Sequence, residues 1–176
     1  MALGGAFRAV GTANDAIYMN PAGLEAAPRY QLDLGGQASF GRPYAGFGLS
    51  VMDSTVGPIA AGLAFQRFVE GPLGDRATSN SWYLALAAPL GDNLALGVTG
   101  KYLYQRDINF LGHSGLTLDV GLLIKYDLLS VGVVGANLVD VGTKQAPRRL
   151  ALGLAVGRED FVRGSADVVV DFLSHP

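Results

Sequence analysis

With 176 residues, 49% of them hydrophobic and only 16% charged, the chain is too apolar to stay disordered and too poor in charge to coat a globule with solvated side chains. A net charge of -2 and a pI near 5.6 give no field for a phosphate backbone, and no Lys/Arg cluster interleaved with aromatics is present, which argues against nucleic-acid binding. There is no cysteine, so disulfides, thiolate metal sites and cysteine nucleophiles are excluded together.

Residues 1–29 show no alternation of apolar and polar positions. They contain Asn20-Pro21-Ala22-Gly23. The Asn20 side chain can accept from the open N–H groups of a helical turn while Pro21 takes its first position, and Gly23 permits an early end. Local chemistry leaves two readings open for this segment, a simple cap on a β-domain and a plug.

From Tyr30 onward the period is two. Tyr30, Leu32, Leu34, Ala38 and Phe40 share one parity, and Gln31, Asp33, Gly35, Gln37 and Ser39 take the other. The pattern returns at Ala45–Val51, Ile59–Phe65, Trp82–Leu90, Leu94–Tyr104, Leu116–Tyr126, Leu150–Val156 and Ala166–Phe172, with a run apolar on both faces between Leu129 and Leu138. This predicts nine strands. The longest uncharged stretch, Ala77 to Gly91, is broken by Thr78, Ser79, Asn80 and Ser81, so no helix of about 20 apolar residues is available to span a membrane.

A soluble β-sandwich alternates in the same way. Three features favour a transmembrane barrel instead: runs of about 9–11 residues, aromatics such as Trp82, Tyr102, Tyr126 and Phe172 near run ends, and a second face made of small, sparsely charged residues. Connections alternate between short (53–58, 91–93, 127–128, 158–163) and longer polar ones (70–80, 106–114, 139–147), which predicts periplasmic turns and external loops. The short connection 41–43 is the mismatch.

Candidate functional groups are few. His113 and His175 lack partners at metal-ligand spacing, and the glycine pairs Gly97/Gly100 and Gly132/Gly135 lie within strands, where they permit bends or close packing. Arg8, Asp33, Lys101, Asp119, Lys125 and Asp171 fall on the polar parity or in the N-terminal segment. Lys101, Asp119 and Lys125 are expected to pair with one another or with Arg8 and Asp15, either as a structural network or as a selectivity element. No cofactor and no enzymatic activity is expected.

The stretches Gly4-Gly5-Ala6-Phe7, Ala13-Asn14-Asp15-Ala16 and Asn20-Pro21-Ala22-Gly23-Leu24 resemble the start of mature FadL-like outer-membrane proteins, especially the PorV/PorQ-type branch. The resemblance implies a helical hatch over residues 1–29, with Asn14, Asp15, Asn20, Pro21 and Gly23 as its motif, folded into an antiparallel transmembrane β-barrel over residues 30–176. Members of that group have fourteen strands, so nine strands, no visible signal peptide and no closing aromatic make the chain an expected incomplete portion of such a barrel. The resemblance also implies the outer membrane as location, membrane lipid as partner, and passive passage of small hydrophobic compounds gated by the hatch. The alternative is a PorV-like barrel that conducts nothing and holds a secretion-system protein.

Overall fold

The computed structural model describes residues 8–26, 28–39, 41, 43–71, 76–107, 112–141, 146–157 and 163–172. Gly4–Phe7, Phe40 and His175 lie outside the described residues. Among the described residues there are nine strands: β1 (Tyr30–Ser39), β2 (Tyr44–Asp53), β3 (Ala60–Glu70), β4 (Ala77–Pro89), β5 (Leu94–Arg106), β6 (Gly112–Tyr126), β7 (Leu129–Ala136), β8 (Arg148–Gly157) and β9 (Arg163–Phe172). They form one antiparallel sheet in chain order, each strand bonded to the next. Among the described residues only short helical turns precede them, at Ala13–Asp15, Ala16–Met19 and Pro21–Ala26. The all-β antiparallel fold with a short helical N-terminus is therefore as expected. β1 and β9 are the edges of the sheet, with no pairing between them among the described residues.

Several strands outrun the apolar periodicity. β3 continues to Glu70 and β4 starts at Ala77, so Thr78, Ser79 and Asn80, read above as loop, pair with Val69, Phe68 and Arg67. β5 and β6 likewise stay paired up to Arg106 and Gly112. Ladder hydrogen bonds persist where side chains turn polar, because the backbone groups still need partners. The contrast in loop length shrinks accordingly, and it stays pronounced between the turn at 127–128 and the connection 137–147.

Alternation divides the sheet into two unlike faces. One outer row reads Leu34, Leu49, Phe65, Trp82, Tyr102 and Leu116 from β1 to β6. The inner face is built from small residues, among them Ala60, Gly62 and Ala64 on β3, Ala85 and Ala87 on β4, and Ala151, Gly153 and Ala155 on β8. The apolar run at Leu129–Leu138 resolves in the same way: Ser130, Gly132 and Val134 are buried and Leu129 is exposed. Beyond the apolar runs the outer parity carries charge at the strand ends: Asp53, Arg67 and Arg148 fall on it, and the two arginines are exposed.

The register drifts steadily across the sheet. The row that starts at Tyr30, the first residue of β1, passes Asp53, Ala61, Leu86, Val98, Val120, Gly135 and Leu150. It ends at Val170, near the far end of β9.

The sheet curls around the N-terminal segment. Arg8 bonds Asp167 on β9, and Asn14 bonds Ser50 on β2. The backbone from Arg8 to Asn14 spans at most about 22 Å even fully extended. β2 and β9 stand about 33 Å apart when measured along a flat sheet at the usual strand spacing. The core fills the concavity: Ala16, Ile17 and Leu24 of the segment pack on Met52, Ala60, Ala64, Ala85 and Ala87 of β2–β4.

Candidate functional site

The N-terminal segment lies on a seat of inner-face glycines. A Cβ at Gly62 would press on Ile17, at Gly97 on the Pro21–Ala22 peptide, at Gly121 on Asn20, at Gly132 on the Arg8 carbonyl and at Gly153 on Ala9. Five strands thus contribute a residue without a side chain where the segment approaches most closely, with its backbone at Gly97, Gly132 and Gly153 and with the Ile17 and Asn20 side chains at Gly62 and Gly121.

Asn20, fully buried, organises the contact. Its Oδ1 accepts from the Ala22 N–H at 3.2 Å, capping the Pro21–Ala26 turn, as the Asn-Pro spacing predicts. Its Nδ2 donates to the carbonyls of Arg8 at 2.8 Å and Leu122 at 3.1 Å. One side chain therefore joins the start of the segment, its helical turn and β6. Gly23 does not end the turn, which runs to Ala26. Its missing side chain instead admits the Gly11 carbonyl.

Four further hydrogen bonds pin the segment. Arg8 donates to Asp167 Oδ2 from its backbone N–H at 3.2 Å and from Nη1 at 3.0 Å. Thr99 Oγ1 donates to the Ile17 carbonyl at 3.2 Å, and Asn14 Nδ2 to the Ser50 carbonyl at 3.3 Å. Tyr18 meets Tyr83 edge to face, with ring centroids 5.0 Å apart. Burial pushes the Tyr18 phenol above its ordinary range, the Asp15 and Asp33 carboxylates push the same way, and hydrogen bonds with Ser50 and Gln66 oppose them. It stays a neutral donor throughout the physiological range.

The expected inward charges separate into distinct roles. Lys101 and Asp119 do pair, at 2.6 Å, with side chains only 11% and 6% exposed. Lys101 Nζ also donates to Asn137 Oδ1 at 2.7 Å, and the Asn137 N–H donates to Asp119 Oδ1 at 2.8 Å. Asn137, at φ +53°, donates from Nδ2 to the Pro147 carbonyl at 2.9 Å. Thr117 Oγ1 holds the Val139 carbonyl at 2.8 Å, and Val141 sits over Gly115. This cluster is a latch that folds both ends of the 137–147 connection against the inner face of β6.

The remaining charges lie apart from the latch. Lys125 is at the opposite end of β6, beside Glu25 and Asp92. Arg8 takes Asp167, and Asp171 takes Arg149 at 2.7 Å. Asp15 and Asp33 face a chamber between the segment and β1–β3, and Asp33 accepts from Gln31 at 2.8 Å. Sequence reasoning did not single out Asn137, Arg149 or Asp167 as site residues. The inward parity of Asp167 and Arg149 was the available signal.

No family model matches the chain, and no curated protein or solved structure matches it.

The latch makes a direct prediction. Lys101→Met leaves the Asp119 carboxylate buried without its counter-charge, which is expected to cost about 3 kcal/mol. Trypsin should then cut the 137–147 connection faster in the folded variant. The double variant Lys101→Met/Asp119→Leu should recover most of the lost stability, measured by urea unfolding. Unchanged stability and cleavage in the single variant would refute the latch.

Proposed function

We propose that the chain forms part of an integral outer-membrane β-barrel whose N-terminal segment is a hatch in the lumen, and that the barrel gives small hydrophobic compounds a passive route across the membrane. The reading assigns the protein no catalytic role. The observation that carries it is the outer face. Leu32, Leu49, Leu63, Leu84, Leu86, Leu96, Val98, Leu116, Val120, Leu152 and Val168 are all exposed there, a contiguous apolar surface far beyond what a water-soluble monomer presents.

Three features support the location. Phe47, Phe65, Trp82 and Tyr102 form a ladder with successive centroid separations of 5.7, 5.1 and 5.4 Å. The next outer row carries Arg67 and Asn80, so the ladder sits where an apolar band gives way to polar side chains, the place of an aromatic girdle. The register drift corresponds to a strand slant of roughly 30°, from about 3.3 Å per residue and about 4.8 Å per strand, near the lower end of the tilt a closed barrel needs. The small inner face is filled by the segment and the latched connection, as in a plugged lumen.

The resemblance of Asn14-Asp15-Ala16 and Asn20-Pro21-Ala22-Gly23-Leu24 to FadL-like proteins supports passage. A second reading, a non-conducting PorV-like barrel that holds a secretion-system protein, draws on a different observation: buried ion pairs fasten both the segment and the 137–147 connection, as suits a static plug.

Location is tested by single cysteines at His113 and Asp92 in intact cells. The cysteine at position 113, beside the 107–111 connection, should react with an impermeant maleimide, and the one at position 92, in the β4–β5 turn, should not. Reaction at both positions, or at position 92 alone, would overturn the proposed topology.

A further inference from the structure

A groove of about 660 Å³ crosses the outer face from Leu32 on β1 to Leu116 on β6. Two rows of side chains form its sides. Phe65, Trp82 and Tyr102 of the aromatic ladder stand on one, and Val51, Leu63 and Leu84 on the other. The floor is strand backbone at Ala64, Tyr83 and Lys101, whose side chains turn inward: Ala64 packs in the core, Tyr83 meets Tyr18 and Lys101 pairs with Asp119. Five strand spacings make the groove about 24 Å long, and its two rows, two residues apart along each strand, make it about 7 Å wide. These are the proportions of a trough for one extended hydrocarbon chain.

The second row breaks at Gly100. This residue lies opposite Leu84 and Leu118 and is exposed, and a Cβ on it would meet nothing within 4 Å except the Leu84 carbonyl, at 3.9 Å. The same parity of β5 carries Leu96, Val98 and Tyr102, so Gly100 is a gap in an otherwise apolar surface. The glycines of the inner seat each receive part of the N-terminal segment, whereas Gly100 receives no part of this chain.

A cation stands on the other side of the ladder. Arg67 is two residues beyond Phe65 on the same parity, opposite Phe47 and Asn80, and it is exposed. Among the described residues it joins no salt bridge. Four residues separate it from Leu63 in the groove, about 13 Å along the strand. The surface therefore runs in one direction from guanidinium to aromatic ridge to apolar trough. A guanidinium matches the geometry of phosphate, which it grips through parallel N–H donors. A hydrocarbon would use the trough alone and a soluble anion the arginine alone, while a molecule that carries both uses both.

We infer that this surface binds one anionic membrane lipid, its phosphate on Arg67 and one acyl chain crossing the ladder into the trough to fill the gap at Gly100. The inference rests on the proposed membrane location and deepens it. The rest of the outer face meets interchangeable lipid, whereas the trough and the cation together select a headgroup and hold a chain.

Trp82, the only tryptophan, lines the trough and reads its occupant directly. The full chain, folded in non-ionic detergent, is titrated with phosphatidic acid brominated on its acyl chains and, in parallel, with phosphatidylcholine brominated in the same way, while Trp82 fluorescence is followed. Phosphatidic acid should quench at concentrations at least tenfold lower. Arg67→Gln should erase that preference, and Gly100→Leu, which fills the gap, should weaken quenching by phosphatidic acid at least tenfold. Heat-modifiable gel mobility checks that both variants are folded. Equal quenching by the two lipids in the parent protein would overturn the inference and leave the membrane reading standing, and no quenching by either would count against both. A preference that survives Arg67→Gln, or quenching unmoved by Gly100→Leu, would also overturn it. Dimer formation that phosphatidic acid does not reverse would give the trough to a second copy of the chain instead.

Discussion

On the proposed membrane reading, Leu86→Arg is expected to destabilise the protein by about 2–4 kcal/mol, the depth-dependent cost of a cation on a lipid face near the bilayer midplane. Leu86 is exposed on the outer face, between Ala61 and Val98 in register. It lies on the turn side of the aromatic ladder. Ala45→Arg is the matched control: Ala45 is also exposed on the outer face, but beyond the ladder at the opposite end of β2. There the same substitution should cost about 0–1 kcal/mol. Trp82 is the only tryptophan in the chain and stands on the ladder. Its fluorescence therefore reports unfolding from vesicles, and quenching by brominated lipid reports its depth. Equal costs at Leu86 and Ala45 would mean that the outer face has no depth gradient, and the apolar surface would then need a protein partner instead of lipid.

The pleat made the sheet legible in advance. Leu, Val and aromatic side chains occupy one parity of nearly every strand and Gly, Ala, Ser and Thr the other, so period, strand number and face assignment follow from one-dimensional pattern alone. Strand ends did not follow, because Thr78–Asn80 and Gln105–Arg106 are polar yet remain in the ladder. A hydrophobic pattern marks where side chains meet an apolar medium, and backbone pairing extends past it.

The same distinction separates the parts of the site. Asn20 as a cap was readable because its partner, Ala22, is two residues away. The Lys101–Asp119 pair was readable because the two residues lie on adjacent strands with one parity. Arg8 with Asp167 was not, since their separation of 159 positions becomes a contact only once the sheet curls around the segment. The glycine seat was legible only in part. Gly97 and Gly132 stood out as in-strand glycines that permit close packing, but their pairing with Gly121 and Gly153, and the arrival of the N-terminal segment over them, follow only from the register and the curl of the sheet.

On the proposed reading of the N-terminal segment as a hatch, Asn20→Ala is expected to unseat it without altering a strand. The substitution leaves the part-buried Arg8 and Leu122 carbonyls and the buried Ala22 N–H without the bonds Asn20 gives them. At about 1–3 kcal/mol per orphaned group, a total near 4 kcal/mol is a conservative sum. At roughly 1.4 kcal/mol per decade it shifts the docked–undocked equilibrium by two to three orders of magnitude. Gly121→Val attacks the same contact from the β6 side, since its Cβ meets Asn20 Oδ1. The two variants should therefore behave alike, and deletion of residues 1–29 should exceed both. Planar-bilayer conductance and uptake of a fluorescent hydrophobic probe read the consequence. The parent protein should conduct poorly, and all three changes should raise conductance and probe uptake together while heat-modifiable gel mobility shows an intact barrel. Conductance that rises with no gain in probe uptake would retain the hatch and favour the secretion-scaffold reading over transport. Conductance that stays flat in all three folded variants would remove the hatch from the permeation path and end the gating mechanism.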